Sequence, residues 1–197
     1  MPIRTPGSPE ASLWQVYASE DDTVLEFSAP AGVTGLPASP VTLDKGQLLE
    51  FETAGIVGAA GDFHLSADKP VALFNFMTGW ESIGVEVGDP AMLQLSPVQQ
   101  FLGQYVVLVP SEWENDVLVI TREQGAVVEV DGVAVQDTLF FDAGGGFEVA
   151  RVPVEDGVHD LGGSAPFSVS VVGYDQADSY AYLGGMGTSL INPEPEG

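Results

Sequence analysis

Two histidines, His64 and His159, are the side chains of this sequence best suited to acid–base chemistry near neutral pH. A hydrolase would pair one of them with a serine and a carboxylate. Each histidine instead precedes a similar apolar run, residues 71–76 or residues 167–172. Because the two contexts match, we expect a structural hydrogen-bonding role for both. The sequence has no nucleophile elbow, zinc-binding histidine pair or phosphate-binding loop, so we predict that the protein is not an enzyme.

Acidic residues form a second candidate site, for a metal ion. Glu112, Glu114 and Asp116 crowd one predicted turn, while Asp175 and Asp178 flank the last predicted strand. Carboxylate oxygens suit Ca²⁺, which takes about six to eight oxygen ligands. The expected role of these carboxylates is a solvated acidic surface, and the five residues are kept as candidate calcium ligands. No other cofactor is indicated, and the absence of cysteine excludes disulfides and thiolate metal sites.

Trp113 is the candidate ligand-contact residue. It lies inside the acidic turn of residues 111–116, where an exposed aromatic ring could stack on a sugar or anchor a protein partner. The alternative is that Trp113 folds back over the end of a sandwich. Trp14 and Trp80 lie beside strand-like runs, and we expect both in the core.

Charge excludes several classes of partner. Five basic residues face 29 acidic ones, which gives a formal net charge of −24. No basic stripe is available to neutralise phosphates, so a nucleic-acid partner is excluded, and an anionic membrane surface is disfavoured for the same reason. No apolar stretch is long enough to span a bilayer, and we predict no membrane insertion.

Short apolar runs separated by turn residues predict an all-β chain. Val, Ile, Phe and Tyr dominate the runs, and these residues favour strands. Asp131-Gly132, between two alternating runs, predicts a type I′ hairpin. Helical periodicity is nearly absent, apart from one turn predicted near residues 97–102. The predicted strands are residues 14–17, 24–27, 48–51, 71–76, 105–109, 117–120, 126–130, 139–141, 147–152 and 167–172.

Matched landmarks suggest that one folding unit occurs twice. The histidine-led segments are the clearest pair, and further pairs follow in the same order along the chain. We therefore predict two related, jelly-roll-like antiparallel β-sandwiches packed together through an apolar interface. Residues 11–87 form the first, 88–103 a connector, 104–187 the second and 188–197 a polar tail.

Several segments together resemble the N-terminal domain of the IgGFc-binding protein family. The resemblance covers residues 60 to 187, and the chain departs from many members in having no cysteine. It implies an extracellular or cell-surface binding and adhesion module rather than an enzyme. No motif of the family identifies ligand residues here. The segments are residues 68–76, 88–97, 104–107, 157–161, 165–167, 173–174 and 178–182.

The resulting functional hypothesis is a non-enzymatic extracellular adhesion module, part of a larger surface protein, that recognises a protein or glycan. One alternative is a carbohydrate-binding accessory module of a secreted enzyme, which would expose a planar row of aromatic side chains. A second is a structural spacer in a surface stalk, which would bind nothing. A hydrolase would need a histidine beside a carboxylate and a nucleophile in a cleft.

Overall fold

A computed structural model describes residues 11–56, 60–79 and 88–188, and in these ranges the regular elements are strands and two short 3-10 turns. The all-β prediction is confirmed, and each predicted strand is present, some with shifted ends. The first strands are β1 Ser12–Ala18, β2 Thr23–Ser28, β3 Val41–Leu43, β4 Leu48–Thr53, β5 His64–Ala67, β6 Val71–Phe76 and β7 Met92–Gln94. The others are β8 Leu102–Val109, β9 Asn115–Glu123, β10 Val128–Val130, β11 Val133–Ala134, β12 Phe140–Gly144, β13 Phe147–Pro153, β14 Gly157–Asp175 and β15 Asp178–Leu183. The 3-10 turns are Val98–Gln100, within the predicted helical turn, and Asp137–Leu139.

The first half of the chain forms two antiparallel sheets, with strand orders β4-β1-β6-β7 and β3-β2-β5. Alternation along β1 explains their packing, because Trp14, Val16 and Ala18 are fully buried while Gln15 and Tyr17 are not. Side chains two residues apart share one face of a strand. The buried face of β1 therefore supplies the core between these sheets.

The second half forms one antiparallel sheet organised around β14. The beginning of β14 pairs with β8 and β10, and its end pairs with β9 and β15. The sheet curls into a half-barrel around a core that includes Phe167. A side chain at Gly163 would lie 2.6 Å from the Phe167 ring, so a glycine is needed where the strand passes over this residue.

An apolar cluster joins the first and second halves of the chain. Trp14, Met77 and Leu93 of the first half pack with Val119 and Val172 of the second. Strand β9 is consequently buried on both faces, since Leu118, Val119 and Ile120 are all fully buried. This central position explains its uninterrupted apolar sequence.

The two histidine-led segments differ in structure, and the predicted repeat is not supported there. His64 begins the short strand β5, and the chain then turns at Pro70 into β6, which belongs to another sheet. His159 and residues 167–172 lie in a single strand, β14. Proline has no N–H to donate and is rarely accommodated inside a paired strand, so the chain turns at Pro70. At Pro166 a register shift against β8 accommodates the same residue type. The boundaries of the two predicted units remain predictions.

Two predictions that concern short segments, the hairpin at Asp131-Gly132 and the burial of Trp14, are confirmed. Asp131 and Gly132 have φ angles of 52° and 75°, and β10 pairs with β11, so the I′ hairpin is confirmed. Trp14 is fully buried, as expected. Trp80 lies outside the described residues.

Candidate functional site

The candidate calcium ligands gather at one end of the second sheet. Asp116 lies at the start of β9, Glu112 and Glu114 lie in the turn before it, and Asp175 pairs with Asp178 where β14 turns into β15. Within residues 11–56, 60–79 and 88–188, however, no three His, Asp or Glu side chains form a group that could hold a metal ion. The fold brings these residues to one region without forming a metal-binding group among the described residues. Calcium binding by them is therefore still a hypothesis from the sequence.

The carboxylate of Asp116 is hydrogen-bonded to a tyrosine of β15. It is buried, and the Tyr180 hydroxyl donates a 2.6 Å hydrogen bond to its carboxylate. Burial raises the pKa of Asp116, while the Tyr180 bond acts in the opposite direction. Burial, followed by the contact with Asp116, raises the pKa of the Tyr180 hydroxyl. The pair therefore links the first residues of β9 to β15.

Trp113 packs against this pair. Its ring meets Tyr180 edge-on with 4.6 Å between ring centroids. The indole N–H is buried, and no hydrogen-bond acceptor reaches it in the described part of the chain. The geometry agrees with the alternative that Trp113 folds over the end of the sheet. Ligand contact by Trp113 stays a prediction.

His159 has the structural role expected for it. Its Nδ1 lies 2.7 Å from the Asp131 carboxylate, and its Nε2 lies 2.8 Å from the carbonyl of Glu155. Both partners are acceptors, so both ring nitrogens donate only when the imidazole is protonated. Burial lowers the pKa of His159, but the hydrogen bonds and the Asp131 charge outweigh it and the net shift is upward. The His159 hydrogen bond, followed by the Asp160 backbone bond, lowers the pKa of Asp131.

We expect the stability contributed by this pair to depend on pH. A raised His159 pKa stabilises the fold fully below its ordinary value, and this stability is lost as pH rises through the folded pKa. The lowered Asp131 pKa stabilises above its ordinary value and is lost as pH falls through the folded pKa. Asp131→Asn should therefore lower the melting temperature most at about pH 5 to 6 and least at about pH 9.

Circular dichroism melts across this pH range measure the effect. Glu129→Gln, an exposed change on the neighbouring strand β10, is the control and should give a small difference at every pH. A deficit for Asp131→Asn that stays the same from acid to alkaline pH would contradict the charged pair.

His64 lies in the wall of a cleft between the two halves. Its ring is parallel to Phe147, with 6.2 Å between centroids and 5° between planes. Gly145, at φ 63°, holds the β12–β13 turn so close that a Cβ there would lie 2.4 Å from the His64 ring. No hydrogen bond of the His64 side chain occurs within the described residues. The hydrogen-bonding role expected of both histidines is therefore seen only at His159.

The cleft has a volume of about 600 Å³, which is in the range of ligand sites. Its charged side chains already have partners. The Asp68 carboxylate accepts the Val24 N–H, and the Lys69 ammonium donates to the Asp21 carbonyl. Asp62 forms a bidentate ion pair with a buried arginine, described below. Size therefore fits a ligand, while Asp62, Asp68 and Lys69 in its lining each already have at least one protein partner.

A more distinctive surface lies on the outer face of β8 and β14. Val106, Leu108 and Val158 are 67%, 59% and 64% exposed. Leu108 and Val158 are directly opposite in the ladder, and Val106 is opposite the exposed Asp160. Large aliphatic side chains gathered on a surface mark an interaction site more often than scattered ones do. This face was not predicted from the sequence, although the unbroken apolar run of residues 105–109 is a signal of it.

Among residues 88–188, which carry this face, no lysine or arginine is exposed. Residues 88–188 contain two basic residues, Arg122 and Arg151, and both are buried. Arg122 bonds to Glu148 and Asp137 and lies 3.3 Å from the centroid of the Phe140 ring. The exposed charges of this half are consequently all negative.

The fold and its surfaces define an all-β, sandwich-type protein with an acidic exterior and an exposed aliphatic face. The chain matches the family described as IgGFc binding protein over residues 1–173, and it belongs to that family. The resemblance found in the sequence is thereby confirmed. Comparison with curated proteins finds no match, and comparison with solved structures finds none either. Among the described residues, no helix has the length and apolar character of a membrane span.

Proposed function

We propose that the chain is a non-enzymatic binding and adhesion module of a larger extracellular or cell-surface protein, and that its partner is a protein. The observation that carries this proposal is the match to the IgGFc-binding family over most of the chain. The name of the family refers to a protein ligand, the Fc part of immunoglobulin G. Whether this chain shares that particular ligand is part of the test.

The exposed aliphatic face supports a protein partner over a glycan. Val106, Leu108 and Val158 stand on a regular sheet whose inner face is packed by Tyr105 and Val107. A rigid apolar surface loses little conformational freedom on binding and can form the buried centre of an interface. Glycan-binding sites of the accessory-module type need aromatic rings in a row. Among the described residues, Tyr17 is the one aromatic side chain with large exposure.

Surface plasmon resonance with the immobilised chain tests the proposal. The analytes are a panel of soluble surface proteins, including immunoglobulin G Fc, and a glycan panel. We expect saturable binding to at least one protein and none to glycans. Binding to glycans alone would favour the carbohydrate-binding accessory module. Binding to nothing would favour the spacer.

Location has its own test. The full-length protein, tagged within this domain, should be labelled by an impermeant reagent on intact cells or recovered from the medium. Protection of the tag until the cells are lysed would contradict the extracellular proposal.

A further inference from the structure

We propose that the free edge of strand β8 accepts an extended segment of a cationic partner protein, which pairs with β8 as an added strand. This inference rests on the proposed protein-binding function and names its surface and the chemistry of its partner. It follows from the direction of backbone groups along β8, the absence of edge protection and the sign of the surrounding charge.

The ladder shows which backbone groups of β8 point outward. In an antiparallel pair, successive residues direct their N–H and C=O groups alternately toward the partner strand and away from it. Asp160 directs both groups to Asp131, away from β8. Its register partner Val106 must therefore turn its own N–H and C=O away from β14. Gln104, two residues earlier, has the same orientation.

Leu108 confirms this orientation and limits the open stretch. Its N–H and C=O bond to the hydroxyl of Tyr182, on the side of β8 away from β14. At Val106 and Gln104, no described residue makes such a bond. Gln104 and Val106 are also exposed residues, so nothing in the described structure covers them. The outward N–H and C=O groups of Gln104 and Val106 are therefore accessible within the described structure.

The open part of the edge lacks the charged residues and prolines that often prevent strand addition. Strand β8, Leu102–Val109, contains no charged residue and no proline, and Tyr182 covers its edge only at Leu108. Val106 and Leu108 also present exposed aliphatic side chains on its outer face. Backbone pairing and alternate side-chain contacts are the two components of recognition by strand addition.

The acidic residues around the β8 edge favour a positively charged partner segment. Asp160 lies opposite Val106, Glu129 is exposed on β10, and Glu155 and Asp156 are exposed in the loop before β14. A second copy of the chain would bring another net charge of −24 to this edge, and like-charge repulsion disfavours it. A strand that alternates aliphatic residues with lysine or arginine would cover the aliphatic face and complement the carboxylates.

The experiment uses a defined probe, a capped eight-residue peptide of alternating lysine and valine, with the whole chain labelled with ¹⁵N. We expect peptide binding to slow amide exchange at Gln104 and Val106. Val106→Pro removes the outward N–H, and proline is tolerated on an edge strand whose N–H faces solvent. This variant should bind the peptide at least about tenfold more weakly. Val106→Thr keeps the N–H and should lose less affinity than Val106→Pro.

Two controls separate this edge from general attraction to an acidic protein. Leu48→Pro changes an exposed leucine at the start of edge strand β4 and should bind like the wild type. A peptide of alternating glutamate and valine should not bind. If Val106→Pro is not folded by circular dichroism, the amide exchange of the wild-type chain decides the question.

Absence of binding, protection of amides elsewhere, or equal affinity of the wild type and folded Val106→Pro would overturn the inference. Equal binding of the glutamate peptide would overturn its charge component. A partner found by surface plasmon resonance that binds Val106→Pro like the wild type would leave the proposed function standing and remove β8 as its site.

Discussion

Replacing Arg151 by leucine is expected to lower the free energy of unfolding by about 3–5 kcal/mol. Arg151 and Asp62 form a bidentate ion pair with both N–O distances at 2.9 Å. Their side chains are 4% and 2% exposed, and the pair joins β13 of the second half to the segment before β5 in the first. Removing Arg151 takes away the opposite charge that faces the buried Asp62 carboxylate, and breaking a buried pair on one side is strongly destabilising.

Urea unfolding followed by circular dichroism measures this loss. Lys45→Leu removes an exposed cation and is the matched control, with an expected change within about 0.5 kcal/mol. The double variant Asp62→Leu with Arg151→Leu should recover much of the stability, because apolar replacement of a whole buried pair is often neutral. A loss below about 1 kcal/mol for Arg151→Leu would show that the pair is not desolvated as the structure has it.

Trp14→Ala is expected to destabilise the protein by a similar amount, about 3–5 kcal/mol. Trp14 is fully buried in the cluster that joins the two halves, and its ring meets Phe63 edge-on at 4.8 Å between centroids. Its indole N–H donates a 2.8 Å hydrogen bond to the Thr53 hydroxyl, which in turn donates to the Gly61 carbonyl. Truncation removes the buried ring and leaves a cavity between the halves.

Thermal and urea unfolding again provide the measurement. Tyr17→Ala, on the same strand but on its exposed side, is the matched control and should have a much smaller effect. Thr53→Val removes the acceptor of the indole and should cost about 1–3 kcal/mol, because the N–H then stays buried without a partner. Equal effects for Trp14→Ala and Tyr17→Ala would contradict the position of Trp14 in the core.

Features that depend on neighbouring residues could be predicted from the sequence. The Asp131-Gly132 hairpin is an example, because positive φ angles at both positions are a local preference of these residues. The burial of Trp14 follows from alternation along a single strand. Family membership could also be recognised, since it depends on the order of short motifs along the chain.

Whether His64 and His159 occupy equivalent positions could not be decided from the sequence. Similar residues precede both apolar runs, but one run begins a new strand after a turn and the other continues β14. Strand propensity describes a short segment and contains no information on which distant strand it will pair with. The same limit applies to the candidate calcium ligands, which reach one end of the sheet without converging on a single point.

The sequence by itself determined the all-β class, the acidic exterior and the family, because composition, alternation and motif order are properties of the chain alone. Only the tertiary structure decided that both arginines of the second half are buried and that Val106 and Leu108 are exposed. The reason is physical: a run of five apolar residues on a strand has two faces, and which face is covered depends on strands far away in sequence. That choice left an aliphatic edge strand in a half of the chain, residues 88–188, whose exposed charges are all negative.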